Sequence, residues 1–272
     1  MSNCPPFIAL IVVGMFPALS ADAQDFDVDQ IVMAEILPGW RAADGTHIAA
    51  LHLTLAPGWK TYWRHPGEAG IPPEFNWQGS ANLASVSVRW PVPEVFEIND
   101  LRSIGYGGDL VLPLEVTPSA PGQTVDLALT ADLGICKDIC VPLTLSLNAA
   151  LLPGPGTKDP AIRAALANQP GDGGDGGISA LTCQVEPIAD GLRITAQMTL
   201  PATGAEETGV IELEGAAVWA SPPELTRNGH TLRLASDLVP PEGAPFLLDR
   251  SQLRITVLGT DRAVEVRGCP AG

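Results

Sequence analysis

"TVDLALTADLGICKDICVPLTLSLNAALL", residues Thr124 to Leu152, holds two cysteines three residues apart between two runs of alternating apolar and polar residues. A disulfide needs Cα atoms roughly 4.4–6.8 Å apart. On a straight strand, residues i and i+4 lie about 13 Å apart, at about 3.3 Å per residue. Cys136 and Cys140 therefore cannot close on an extended strand, but they can across a tight turn. The flanking runs are rich in Leu and β-branched residues at period two, so the stretch reads as strand, turn, strand. Lys137, Asp138 and Ile139 form the tip of a hairpin, with the cysteines at its base.

Working outward, similar runs recur: "IVMAEILPGW", "THIAALHLTLAPGW", "ASVSVRWPVP" and "DLVLPLEVTP". Strong helical periodicity is absent, and 26 Pro and 28 Gly punctuate the runs. The pattern is that of an all-β sandwich. "KDPAIRAALANQ", from Lys158 to Gln169, is the exception and reads as one short helix. "PGDGGDGG", from Pro170 to Gly177, follows it and reads as a flexible linker. The division expected is a signal peptide over 1–23, a first domain over 24–153, a linker with the helix over 154–177 and a second β-sandwich over 178–272. The blocks share a faint pattern. Trp90 and Trp219 each precede a Pro-Glu turn and then Asp-Leu-Val, and the cysteine hairpin lines up with "GTDR" in block two, which has no cysteine.

The first residues, "MSNCPPFIALIVVGMFPALSADAQ", have an apolar stretch too short to span a membrane and an A-x-A cleavage site at Ala21–Ala23. Export with cleavage is expected, although the n-region lacks Lys and Arg. Cleavage removes Cys4 and leaves Cys136, Cys140, Cys183 and Cys269, an even number as paired cysteines require. The formal net charge of −16 repels phosphate and argues against nucleic acid as a partner.

Three chemistries compete for Cys136 and Cys140. A structural staple over so short a loop removes little chain entropy. A redox couple suits a thiol whose ionised form Lys137 favours and Asp132 and Asp138 oppose, held in reserve until a partner docks. A Cu(I) site suits thiolates, but it wants a His or Met as a further ligand. His47, His52 and His65 precede the pair, and only Met198 and His230 follow it. Cys183 and Cys269 bracket block two, and a bond between them would close a loop of about 87 residues, worth roughly 4–5 kcal/mol by chain entropy. That pair reads as a structural disulfide. Gly105, Gly107 and Gly108 surround Tyr106 in "SIGYGGDLVLPL", which reads as a turn or as a mobile lid with one aromatic. No Ser-His-Asp arrangement, phosphate-binding glycine loop or carboxylate pair stands out.

"GWKTYWRHPGEAGIPPEF", "IGYGGDLVLPL" and "LGICKDICVPL" resemble the N-terminal periplasmic domain of the DsbD family of thiol:disulfide interchange proteins. They are most similar to the module of ScsB-type proteins linked to copper tolerance. "DRAVEV" carries a weaker likeness in block two. The resemblance implies immunoglobulin-like sandwiches, here two, and protein-disulfide reductase activity in the periplasm. It makes Cys136 and Cys140 the redox pair, with Cys140 the expected attacker, and puts Tyr106, with Gly105 and Gly107, in a cap over the sulfurs. It implies no cofactor and no metal. The expected partners are a separately encoded membrane thiol-electron carrier, since the chain stops at Gly272, and periplasmic thioredoxin-like or disulfide-bearing proteins. A Cu(I)-binding module and an inert interaction module are the alternatives.

Overall fold

The structure is a computed structural model that describes residues 30–68, 70–98, 101–216, 218–241 and 246–272. The signal peptide read over 1–23 lies outside the described residues. The first domain contains β1 (Val32–Arg41), β2 (His47–Leu55), β3 (Lys60–Gly67), β4 (Glu74–Asn76), β5 (Leu83–Val88), β6 (Glu94–Ile98), β7 (Leu101–Gly107), β8 (Asp109–Pro118), β9 (Val125–Cys136) and β10 (Cys140–Leu151). They form two sheets, β1-β2-β8-β5 and β10-β9-β3-β7-β6, with β4 on β9. The six runs read as strands around the opening stretch and within it all form strands, because their alternation fits a half-buried pleat. Along β9, Val125, Leu127, Leu129, Ala131 and Leu133 point inward, each at most 4% exposed. On β10, Val141, Leu143, Leu145, Leu147 and Ala149 pack on the same core.

The second domain contains β11 (Gly171–Asp172), β12 (Ala180–Pro187), β13 (Leu192–Thr199), β14 (Glu207–Leu213), β15 (Trp219–Ala220), β16 (Glu224–Asn228), β17 (Thr231–Val239), β18 (Leu253–Gly259) and β19 (Ala263–Arg267). Its sheets run β11-β19-β18-β14 and β12-β13-β17-β15, with β16 on β17. The architecture is thus two β-sandwiches. "GTDR" caps the β18–β19 hairpin, as the cysteines close β9–β10. The Asp-Leu-Val match does not carry over: Asp109 opens β8, whereas Asp237 lies near the end of β17.

Between them, α1 (Pro160–Ala167) starts on Asp159, whose carboxylate accepts from the amides of Ala161 and Ile162, with Pro160 at the first helical position. Ile162 is fully buried against Trp40, Ile48 and Ala50, so the helix docks on the first sandwich. The glycine-rich stretch is not the free linker its composition suggests. Gly171 and Asp172 pair in parallel with Val264 and Glu265 of β19. Val264 fills the space a Cβ at Gly176 would need, 2.5 Å from its nearest methyl. These glycines allow close packing rather than slack.

The sandwiches meet through β3. The Arg64 guanidinium binds Glu212 of β14 through Nε and Nη2, at 3.1 and 2.8 Å. It also binds Glu265 of β19, 2.6 Å from Nη2. It stacks 3.9 Å from the Trp63 ring, and the side chains of Arg64, Glu212 and Glu265 are all less than a fifth exposed. Arg254 extends the cluster to Glu214 and Glu265. Val210, Leu258 and Ala263 of the second domain pack with the first domain's core.

Candidate functional site: a cysteine pair on the β9–β10 hairpin

Cys136 ends β9 and Cys140 begins β10, directly opposite one another in the antiparallel register. Their Cα atoms lie 4.1 Å apart and their sulfurs are bonded. The amide of Lys137 donates to Ile139 O at 2.9 Å, closing the three-residue tip. The two cysteines differ in access: Cys136 is 1% exposed, and Cys140 is open to solvent.

β3 supplies the floor. Lys60 is the Cα partner of Cys136. It is buried, donates to Ser103 Oγ at 2.8 Å, and sits 4.6 Å from the Phe96 ring centroid and 5.9 Å from that of Tyr62. Burial pulls its ammonium below the usual lysine range. Tyr62, only 3% exposed, brings its hydroxyl 3.6 Å from Cys140 Sγ. A disulfide sulfur carries no hydrogen, so the phenol is the donor. Burial raises its pKa above the usual value of about 10, so the proton stays on at neutral pH. A Cβ at Gly134 would lie 2.8 Å from Ile71 Cβ and 3.1 Å from Tyr62 Cε2, so Gly134 makes room for this wall. Ile71, over Gly134, and Ile139, at the hairpin tip, leave 38% and 50% of their surface exposed as an apolar rim.

The cap expected from Tyr106 is corrected. Gly105, Tyr106 and Gly107 belong to β7, not to a mobile loop. Tyr106 is 6% exposed within the sandwich core, and its hydroxyl donates to Pro91 O at 2.8 Å. A Cβ at Gly105 would lie 2.1 Å from Thr61 O, so this glycine serves close strand contact rather than a hinge. The aromatic on the sulfur is Tyr62. Its signal lies in "GWKTYWRHPG", where Tyr62 stands two residues after Lys60, the strand partner of Cys136.

The other expected residues lie elsewhere. Cys183 and Cys269 are bonded, with Cα atoms 5.6 Å apart and both cysteines buried. His47 is buried and donates from Nε2 to Pro38 O at 2.5 Å. Desolvation lowers its pKa, against the pull of that carbonyl. His52 lies between Glu35 and Asp109 on β1, β2 and β8. His65 lines a narrow cleft between the domains, with Ile104, Val210, Trp219 and Pro222. Among the described residues, no group of three or more His, Cys, Asp or Glu is placed to hold a metal ion.

A bonded cysteine pair on an immunoglobulin-like sandwich is the arrangement of a thiol:disulfide interchange module, and residues 33–150 match the family model described as thiol:disulfide interchange protein DsbD, N-terminal. The first domain belongs to that family. Over both domains the chain is similar to the N-terminal periplasmic domain of ScsB from Proteus mirabilis, with 24% identity and a TM-score of 0.63. The match covers 89% of this chain and 92% of that one, and it shows a common fold. Among curated proteins none matches. No helix among the described residues is long and apolar enough to cross a membrane.

Proposed function

We propose that this chain is a periplasmic protein-disulfide reductase that takes electrons from a membrane thiol carrier and hands them to disulfides of thioredoxin-like or other partner proteins. Signal 1–23, redox domain 24–153, connector 154–177 and second domain 178–272 are its divisions, and Cys183–Cys269 is its structural bond. The reading is carried by the asymmetry of the pair: an exposed Cys140 under a phenol donor, backed by a buried Cys136.

In the reduced protein, the Cys140 thiolate attacks one sulfur of a partner disulfide. A Cys140–partner bond forms, the partner's S–S bond breaks, and one partner thiolate leaves. The Cys136 thiol loses its proton and attacks Cys140 Sγ, re-forming Cys136–Cys140 and releasing the second partner thiolate. The pair is oxidised by two electrons and the partner reduced by two, while two protons pass from pair to partner. The Tyr62 hydroxyl stabilises negative charge on Cys140 whenever that sulfur is a thiolate. The Ile71 and Ile139 rim gives the partner an apolar footing. No cofactor is needed, since the sulfurs carry the electrons.

The test is a trap. Reduced Cys136→Ala protein, mixed with an oxidised thioredoxin-fold protein, should accumulate a mixed disulfide through Cys140. Cys140→Ala protein should accumulate little. If neither variant forms an adduct, while the reduced wild type binds one Cu(I) tightly and loses it on replacing either cysteine, the copper reading replaces this one.

A further inference from the structure

We propose that Arg64 is a positioning residue for the cysteine pair, and that the second sandwich acts through it as a brace that holds Tyr62 on Cys140. The proposal rests on the redox reading above and concerns how its site is tuned.

β3 pairs with β7 in register at Lys60–Gly107, Thr61–Tyr106 and Tyr62–Gly105, then slips. The next matched pair is Gly67 with Ser103, so four residues, Trp63 to Pro66, stand opposite the single Ile104. Against β9, β3 has one matched pair, Lys60 with Cys136. Regular pairing thus runs out at Lys60 on the β9 side and at Tyr62 on the β7 side. A bulge of this kind loosens and re-aims a strand.

What holds β3 beyond that point includes the other domain. Arg64, two residues after Tyr62, is clamped by Glu212 and Glu265, with Thr256 Oγ1 3.4 Å from Nη2. Two carboxylates on separate strands fix the planar guanidinium in position and orientation. The Trp63 ring beneath it is fully buried in the first core. Tyr62 is therefore pinned between the ladder at Thr61 and the ion cluster at Arg64. Its hydroxyl lies 3.6 Å from the sulfur, at the long end of a hydrogen bond to sulfur, so a small shift of the strand weakens it. Freeing Arg64 should let β3 drift and weaken the donor to Cys140. The Cys140 thiol would then hold its proton more tightly and present less thiolate at neutral pH.

The experiment reads Cys140 directly. With the pair reduced and Cys183–Cys269 intact, the rate of Cys140 alkylation by iodoacetamide is followed from pH 5 to 9 by mass spectrometry. Arg64→Ala and Tyr62→Phe should each slow alkylation at pH 7 three- to tenfold and move the profile to higher pH. The double variant should be no slower than Tyr62→Phe alone, because both changes remove one interaction. Arg64→Lys should restore part of the rate. Glu212→Gln with Glu265→Gln frees the same arginine without truncating it, and should reproduce the slowing if Arg64→Ala does not fold. An unchanged or faster rate in folded variants would overturn the proposal, as would slowing by Arg64→Ala that persists in full on the Tyr62→Phe background. The assay uses no protein partner, so it can fail while the mixed-disulfide trap succeeds, and the reverse.

Discussion

Tyr62 and Tyr106 are the only two tyrosines in the chain, and their fates show what decides a residue's role here. Both are buried, but the Tyr106 hydroxyl is spent on the Pro91 carbonyl, whereas that of Tyr62 faces a sulfur. Glycines around Tyr106 suggested freedom, yet at Gly105 the strand across from it leaves no room for a side chain. The histidines obey the same logic of surroundings. Desolvation lowers the pKa of His65, with Glu212 opposing and Arg64 assisting, and desolvation lowers that of His47 too. The unfolded chain takes up protons near pH 6.5, and the folded one only below that, so it binds fewer protons in between. Stability from these groups is present above about pH 6.5 and is lost as pH falls through it. Urea unfolding at pH 7.5 and pH 5.5 should therefore show a weaker protein at the lower pH, and His65→Asn should flatten the difference. A slope left untouched in the variant would remove His65 from the account. Few other side chains titrate in that window.

At the scale of the element, the β3–β7 contact separates a packing glycine from a tolerant one. Thr61 O lies 2.1 Å from a Cβ at Gly105, whereas at Gly107 the nearest atom, Trp59 O, lies 3.9 Å away. Gly105→Ala should destabilise the protein by about 1–3 kcal/mol through overpacking, and Gly107→Ala should fall within about 0.5 kcal/mol of wild type. Equal effects in denaturant melts would mean the strands separate more freely than the structure has them. This contrast also marks what could be read beforehand. β1, β2, β5, β8, β9 and β10 were legible because their alternation is strong and local. β3 and β7 were not. In "GWKTYWRHPG" charged and aromatic residues take inward or contact positions because Arg64 and Lys60 find partners far away in sequence. In "LRSIGYGG" glycine tracks a neighbouring backbone that no local pattern reveals. The cysteine hairpin was legible from spacing and flanks. The phenol beneath it depends on a long-range register between β3 and β9, which the sequence carries only as an ordinary Tyr.

Across the whole molecule, the two disulfides divide the labour by loop length. Cys136–Cys140 has a sequence separation of 4 and constrains almost nothing. Cys183–Cys269 has a separation of 86 and limits the unfolded chain, worth about 4–5 kcal/mol by chain entropy. It also fastens the end of the chain. The amide of Cys183 donates to Pro270 O, and Ala271 makes a parallel bridge with Cys183. The ion cluster around Arg64 lies at the seam between the sandwiches.

That fastening has a mechanical reading. Stretched by its two ends, the chain can give up the length of its first sandwich, but force on the second runs straight through the sulfur bridge. The residues enclosed by it, close to 85 in number, hold about 290 Å of contour at roughly 3.4 Å each. In optical tweezers the oxidised protein should show one long extension step, from the first domain. Cys183→Ala with Cys269→Ala should add a second of about that length. The bridge thus makes the second sandwich inextensible, a fixed anchor beside a partner whose β3 leans on it.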